Sequence, residues 1–222
     1  SKGSHLEKAG LIILDRGTGM RGAYPKGGKS MLETVKGFQQ FWGSHKTRPQ
    51  MPYCDQAPEL IEAAKFMKWM IDHSLVEDPQ SNGIIERTVG EFKQRTRSAL
   101  EQAGLFANLW PIGIVYMAMA FNIMKDDEGN SAWKNKFKED FTGIELPLGA
   151  LIDFKPQKSK KGHTFEGEAI PGIFLGWEMG PGFRWTKRYI VADLKDFDAL
   201  RLRDSQNQLQ VQHTTTIVDP MS

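Results

Sequence analysis

The chain has 222 residues, which is enough for one large domain or two modest ones. Hydrophobic residues make up 40% of it and charged residues 25%, a globular composition that excludes a disordered or fibrous chain. A single cysteine, Cys54, excludes an internal disulfide and a zinc site built on paired cysteines, and the net charge of +2 is too small to indicate nucleic-acid binding by itself.

The hydropathy pattern argues against a membrane protein. No apolar run approaches the length that spans a bilayer, and the first residues lack the charged start and cleavage site of a signal peptide. We therefore expect a protein that is neither inserted in a membrane nor secreted. The lone cysteine is typical of a reducing compartment.

The N-terminal region predicts a β-hairpin followed by a helix. Residues 11–14 form a continuous apolar run, which is typical of a buried strand, and residues 20–24 are expected to form its returning partner. Ser30 and Glu33 form a capping box at the start of a helix that is expected to end at Gly43.

Asp55 is the first candidate site residue. Residues 47–54 predict a return to the sheet, although Pro49 and Pro52 weaken the strand pattern. Pro58 suits the first turn of a following helix. Asp55 is thus expected at a strand end just before a helix, the usual position of site residues in an open α/β sheet. The alternative is that Asp55 only caps the helix.

Residues 79–89 predict a turn that places a carboxylate on the first turn of a long helix. Asn82 and Gly83 form a turn dipeptide because both tolerate positive φ. Glu86 follows at the predicted helix start, and the helix is expected to end near Gly104. The apolar stripe of this helix is predicted from residues at helical spacing, which are Ile85, Val89, Phe92, Thr96, Ala99 and Leu100.

A second stripe on the same helix carries charge. Glu86, Lys93 and Arg97 lie at i, i+7 and i+11, along one edge of the helix. A carboxylate followed by two cations is what a metal-dependent enzyme acting on a phosphate backbone would need. The alternative is an ordinary solvated helix face.

The C-terminal half changes from helical to β-like patterning. Residues 105–122 predict a strongly apolar helix, residues 125–130 a charged boundary, and residues 131–141 a short helical connector. From residue 145 onward, short runs with glycine and proline between them predict a small barrel. The four predicted strands are residues 148–154, 170–177, 184–194 and 209–218.

The loop between the first two of these strands is basic. Lys155, Lys158, Lys160 and Lys161 stand there without an acidic residue among them. Such a loop could contact phosphate, but exposed lysine loops are more often simply solvated.

Several of these stretches together resemble the integrase of copia-type retrotransposons, a relative of the retroviral integrases. Residues 53–60 are similar to the family's block in which a strand ends in Asp, and residues 79–87 to the block that holds its catalytic Glu. Residues 171–177 and 189–191 resemble the SH3-like domain that follows the integrase core. The resemblance covers nearly the whole chain and is most specific at residues 83–87 and 171–176.

The resemblance implies an α/β fold in two parts. A ribonuclease H-like mixed sheet with flanking helices is expected over residues 1–125, with its first strand missing or truncated. Residues 126–144 would form a connector, and residues 145–222 a small SH3-like β-barrel domain with a tail. The family's first carboxylate lies on the strand before Leu11, and Asp15 does not match that motif.

The resemblance also implies the chemistry. Asp55 and Glu86 would be catalytic and would bind Mg²⁺ or Mn²⁺, since hard cations take oxygen ligands. The ion would activate the attacking oxygen and stabilise the leaving one at phosphorus. The partners implied are element-end and target DNA and further copies of the chain. The candidate DNA contacts are Arg87, Lys93, Arg97, Lys155, Lys158, Lys160 and Lys161.

Two features depart from the family pattern. Gln56 replaces the usual Asn after Asp55, and the interval from Asp55 to Glu86 is a few residues shorter than is typical. The leading interpretation is an integrase fragment acting in the nucleus or in a cytoplasmic virus-like particle. The alternatives are a catalytically inactive nucleic-acid-binding module and a metal-dependent nuclease on the same fold.

Overall fold

A β-hairpin opens the fold, as the apolar run predicted. Strand β1 (Ala9–Leu14) pairs antiparallel with β2 (Arg21–Lys26). Asp15 closes the turn between them, because its carboxylate accepts hydrogen bonds from the Gly17 N–H at 3.0 Å and the Thr18 hydroxyl at 2.7 Å. The computed structural model describes residues 7–43, 49, 52–54, 57–70, 72–73, 79–156, 169–199 and 209–218.

Helix α1 (Met31–Trp42) covers one face of the hairpin. Ser30 is its N-cap, accepting a hydrogen bond from the Glu33 N–H at 3.3 Å, and Gly43 ends the helix with a φ of 89°. Both predicted ends are confirmed. A Cβ at Gly37 would lie 2.6 Å from Leu11 Cδ2, so the absence of a side chain there lets the helix approach the strand closely.

A second, parallel strand pair lies beside helix α2 (Pro58–Phe66). Strand β3 (Tyr53–Cys54) pairs with β4 (Asp72–His73), which the sequence analysis did not anticipate. The α/β class is confirmed. Within the described part of the chain, however, the expected single mixed sheet is present as two separate two-stranded sheets.

Helix α3 (Pro79–Gln102) corrects one prediction. The expected turn at Asn82 and Gly83 is wrong, because both residues lie inside the helix. Glu86 is therefore seven residues past the helix start (86 − 79 = 7) and not on its first turn. Proline is favourable at a first helical position, and burial of the downstream apolar stripe outweighs the roughly 1 kcal/mol cost of an internal glycine.

The buried stripe of α3 is close to the predicted one. Thr88, Phe92, Thr96 and Leu100 are buried at four-residue intervals, while the predicted Ile85, Val89 and Ala99 are half-buried beside them. Helix α4 (Trp110–Ile123) packs against α3 and β2, and α5 (Ala132–Phe137) follows it.

The C-terminal strands are β5 (Leu151–Phe154), β6 (Ile170–Gly180), β7 (Arg184–Asp193), β8 (Gln212–Thr214) and β9 (Ile217–Val218), and the short helix α6 (Leu194–Ala199) follows β7. They form one five-stranded antiparallel sheet in the order β8-β7-β6-β5-β9. The two edge strands, β8 and β9, are separated by only two residues, a span of at most about 11 Å. The sheet must therefore curl until its edges are neighbours, which the Thr214 hydroxyl confirms by donating to the Lys155 carbonyl at 2.9 Å.

Aromatic contacts connect the helical part to this curled sheet. Tyr116 of α4 stacks on Trp177 of β6 with ring centroids 5.4 Å apart, and its hydroxyl donates to the Leu146 carbonyl at 3.1 Å. The barrel-like curl was predicted, whereas the SH3-like identity and the three-part domain division stay predictions. None of the helices in the described ranges is long and apolar enough to cross a membrane.

Candidate functional site

The neighbourhood of Asp55 has the predicted local structure. Asp55 itself lies outside the described residues, but β3 ends at Cys54 and α2 begins at Pro58. The N-cap of α2 is Ala57. The alternative, that Asp55 only caps the helix, concerns a side chain outside the described residues and stays a prediction.

Glu86 is exposed on α3 beside two glycines. Gly83 and Gly90 lie three residues before it and four residues after it, and a Cβ at either position would meet nothing within 4 Å. Each internal glycine costs the helix roughly 1 kcal/mol relative to alanine, and no packing contact accounts for that cost here. Two bare positions beside one carboxylate let a large ligand approach the helix closely.

The cations predicted on α3 are exposed as well. Lys93 and Arg97 follow Glu86 on one stripe, while Arg87 points about 100° away around the helix. Within the described ranges, no ion pair neutralises Lys93 or Arg97. The neighbouring Glu91 is already engaged by Arg21, at 2.8 Å. Lys93 and Arg97 are therefore exposed and without an ion-pair partner among the described residues, while Glu101, one turn past Arg97, lines the same groove.

Of the four lysines predicted to form a basic loop, the structure describes Lys155. Lys158, Lys160 and Lys161 lie outside the described residues. Lys155 is exposed directly after β5, at the edge where Thr214 bonds to its carbonyl. It is not among the residues that line the groove beside Lys93 and Arg97, so the described structure does not join the two basic regions.

A groove of about 440 Å³ runs beside the charged stripe, between β1, α3 and the start of α4. Lys93 and Arg97 stand on its α3 side, and Lys8 stands opposite them on the β1 side. Sequence reasoning did not find Lys8, because its position depends on how the hairpin packs against α3. Apolar residues form much of the lining, among them Ile12, Val89, Phe92, Leu100, Trp110 and Ile114.

The predicted metal site can be tested only for Glu86. Within the ranges that the structure describes, no three His, Cys, Asp or Glu side chains are close enough together to hold a metal ion. Glu86 is an accessible oxygen ligand of the kind Mg²⁺ prefers, and the second predicted ligand, Asp55, lies outside those ranges.

Burial changes the pKa of one lysine, Lys26 at the end of β2. The Lys26 ammonium is buried and donates to the Thr34 hydroxyl at 3.0 Å. Burial lowers the pKa of Lys26 from its usual 10.5, and the charges of Glu59 and Glu33 act in the opposite direction. Lys26 thus lies buried between the hairpin and α1.

Solved structures of two other proteins are similar to this chain at low sequence identity. A crystal structure of the catalytic core domain of BIV integrase has a TM-score of 0.42 and 13% sequence identity, and covers 58% of this chain and 85% of that chain. A cryo-EM structure of the simian T-cell lymphotropic virus intasome in complex with the PP2A regulatory subunit B56 gamma has a TM-score of 0.46 and 14% identity, covering 92% of this chain and 69% of that chain. No family model and no curated protein matches the sequence.

Proposed function

We propose that this chain is an integrase fragment of a copia-type retrotransposon polyprotein, which binds DNA along α3 and takes part in joining element DNA ends to target DNA. The observation that carries the proposal is the exposed stripe on which Glu86 is followed by Lys93 and Arg97. The resemblance of residues 79–87 and 171–176 to the integrase family supports it.

The stripe suits a phosphate backbone for physical reasons. Lys93 and Arg97 lie four residues apart and are therefore neighbours on one helix face, so both can contact the same strand. Because neither forms an ion pair within the described ranges, no protein contact has to break before phosphate binds. Gly83 and Gly90 remove the side chains that would otherwise hold the backbone away from Glu86.

The metal-binding role is proposed for Asp55 and Glu86. A divalent ion held there would supply Lewis-acid stabilisation of charge at a phosphorus centre. Glu86 contributes an accessible carboxylate at the edge of the cationic stripe, which orients bound phosphate toward it. The ribonuclease H-like core and the SH3-like domain belong to the same proposal.

The experiment is a strand-joining and end-trimming assay with Mg²⁺ or Mn²⁺, using the chain preceded by its natural upstream residues. Glu86→Gln should abolish activity, because glutamine keeps the size of the side chain and removes the charge that attracts the ion. Glu139→Gln makes the same change at an exposed position outside α3 and should leave activity intact. Neither variant should weaken DNA binding.

A second candidate function is a DNA-binding module that retains the fold without the chemistry. The observation that favours it is that Lys93 and Arg97 need no metal to contact phosphate. A folded, DNA-binding protein without metal-dependent activity would support this candidate. It would also indicate that the shortened interval between Asp55 and Glu86 is the reason why the protein lacks metal-dependent activity.

We further propose that the protein assembles with copies of itself and acts in the nucleus or in a cytoplasmic virus-like particle. Support comes from the proposed joining reaction, which needs two element ends to be held together. Light scattering of the chain with and without element-end DNA measures the assembly, and an unchanged monomer in both would count against it.

A further inference from the structure

Arg21, the first residue of β2, is held by two helices at once. The Asn122 side chain of α4 bonds both its N–H, at 2.8 Å, and its carbonyl, at 2.7 Å. Its guanidinium carbon lies 4.4 Å from the centre of the Phe121 ring, also of α4. Its Nη1 donates to Glu91 Oε2 of α3 at 2.8 Å. One residue therefore joins β2, α4 and α3 at a single point.

The Arg21 guanidinium is confined in this position. Its backbone is fixed from α4, and the Phe121 ring covers one face of the planar group, a favourable contact for a cation. Phe121 packs edge to face on Phe92, a fully buried residue of α3, with ring centroids 5.1 Å apart. The side chains of Arg21 and Glu91 are only 27% and 33% exposed. The place at which Glu91 can meet the guanidinium is therefore fixed by α4.

Glu91 lies on the same helix as the charged stripe. It precedes Lys93 by two residues and follows Glu86 by five. At about 100° per residue, Glu91 points about 160° away from Lys93 and about 140° away from Glu86 around the helix axis. Fixing Glu91 against β2 therefore sets the rotation of α3 about its axis, and with it the direction in which the charged stripe faces.

Packing alone restrains the start of α3 weakly. Among the described side chains of this helix, Thr88 is the first that is buried, and Ile84 and Glu86 before it are exposed. A helix end with few buried contacts opens or shifts at low free-energy cost. The bond from Arg21 to Glu91 restrains the end of the helix that carries Glu86.

We propose that Arg21 is a positioning residue for the proposed DNA-joining reaction. It acts through Glu91, by holding α3 at the rotation that turns the charged stripe toward DNA. This role rests on the proposed function. Arg21 does not itself contact DNA in this role, because its guanidinium is already engaged by groups of the protein.

Glu91→Met separates positioning from simple electrostatics, because the two effects have opposite signs. Removing a negative charge from a helix that binds phosphate should tighten DNA binding if charge alone matters. If Glu91 anchors α3, the same change should weaken DNA binding by about threefold to tenfold, measured by fluorescence anisotropy. Glu101→Met is the matched control, because it removes the same charge ten residues further along α3, and it should not weaken binding. Tighter or unchanged binding by Glu91→Met would overturn the positioning role.

A double-mutant cycle tests whether Arg21 acts through the stripe. Arg21→Met should weaken DNA binding by about threefold to tenfold in the parent chain, and by less than about twofold in the Lys93→Ala, Arg97→Ala background. A residue that positions Lys93 and Arg97 has nothing to position once they are gone. Equal weakening in both backgrounds would mean that Arg21 contacts phosphate directly, and would contradict the role.

Folding and the proposed function are checked in the same series. Partly exposed ion pairs contribute little to stability, so the variants should remain folded, and binding is measured below the melting transition of each one. A folded Arg21→Met protein that binds DNA as the parent chain does would overturn the positioning role alone, provided that the Lys93→Ala, Arg97→Ala variant binds weakly. Parent-like binding by that double variant would overturn the α3 DNA face and the positioning role together.

Discussion

Asn122, fully buried in α4, holds Arg21 at the start of β2 through both backbone groups of that residue. Its amide oxygen accepts from the Arg21 N–H at 2.8 Å, and its amide nitrogen donates to the Arg21 carbonyl at 2.7 Å. The contact joins residues 101 positions apart and reproduces what a neighbouring strand would provide. It fixes α4 against the hairpin and so helps to define the groove beside β1.

Asn122→Leu should therefore lower the free energy of unfolding by about 2–4 kcal/mol, because two buried backbone groups lose their partners. Chemical denaturation measures the loss. Asn135→Ala is a suitable control, since the exposed side chain of this residue makes one long bond among the described residues, at 3.3 Å to the Thr18 carbonyl. Equal stability of the two variants would show that the Arg21 contact is not structural.

Lys26 should make the free energy of unfolding depend on pH in the alkaline range. Its pKa is lowered in the folded state by burial, so between that pKa and the ordinary 10.5 the unfolded chain binds more protons than the folded one. The contribution of Lys26 to the free energy of unfolding should accordingly rise as the pH rises through that interval, whereas the buried Tyr24, whose pKa burial raises, contributes the opposite trend at higher pH.

Lys26→Met should make the alkaline rise smaller than in the parent chain, and Lys36→Met, an exposed change on α1, should keep the parent's rise. Burial also lowers the pKa of Lys136, which contributes a rise of the same sign in all three proteins. Urea denaturation across the alkaline range measures the difference, and an equal rise in Lys26→Met and the parent chain would contradict the role of Lys26.

Replacing Gly90 by alanine should raise the stability of the protein and lower its affinity for DNA. Gly90→Ala meets no neighbour within 4 Å and should stabilise α3 by about 0.5–1 kcal/mol. If the bare surface beside Glu86 admits the DNA backbone, the same change should weaken DNA binding. Thermal unfolding and fluorescence anisotropy measure the two effects.

Gly113→Ala is the contrasting variant. A Cβ there would lie 3.0 Å from Thr96 Cγ2, so this change should destabilise the protein by crowding α3 against α4.

Tighter or unaltered DNA binding by Gly90→Ala would argue that the glycines near Glu86 do not make room for a ligand.

The parts of the fold that could be predicted are those set by adjacent residues. The Ser30 N-cap and the apolar run of β1 carry their information within a few positions, and the structure confirms both. The other half of the predicted capping box differs, because the Glu33 carboxylate accepts from the Gly27 N–H at 3.3 Å and the Gly28 N–H at 3.0 Å. The turn predicted at Asn82 and Gly83 failed because local preference for a turn is weaker than burial of the stripe that ends at Leu100.

Other features depend on distant contacts and leave no local signal. Strand β4 is two residues long and exists only as a partner of β3. Lys8 joins the site through packing of the hairpin against α3. The charged stripe of Glu86, Lys93 and Arg97 was predictable because it needs only helical spacing, whereas its relation to Asp55 lies outside the described residues.

The central claim, that α3 presents the nucleic-acid face, is tested most directly by the salt dependence of DNA binding. Each phosphate contact contributes about 0.9 to the slope of log affinity against log salt, so the Lys93→Ala, Arg97→Ala double variant should flatten the slope by about 1.8 without changing base preference. The control double variant, Lys125→Ala with Lys134→Ala, removes the same charge from two lysines that already lie near Asp140. An unaltered slope in the α3 variant, or an equal flattening in the control, would contradict the assignment of this face.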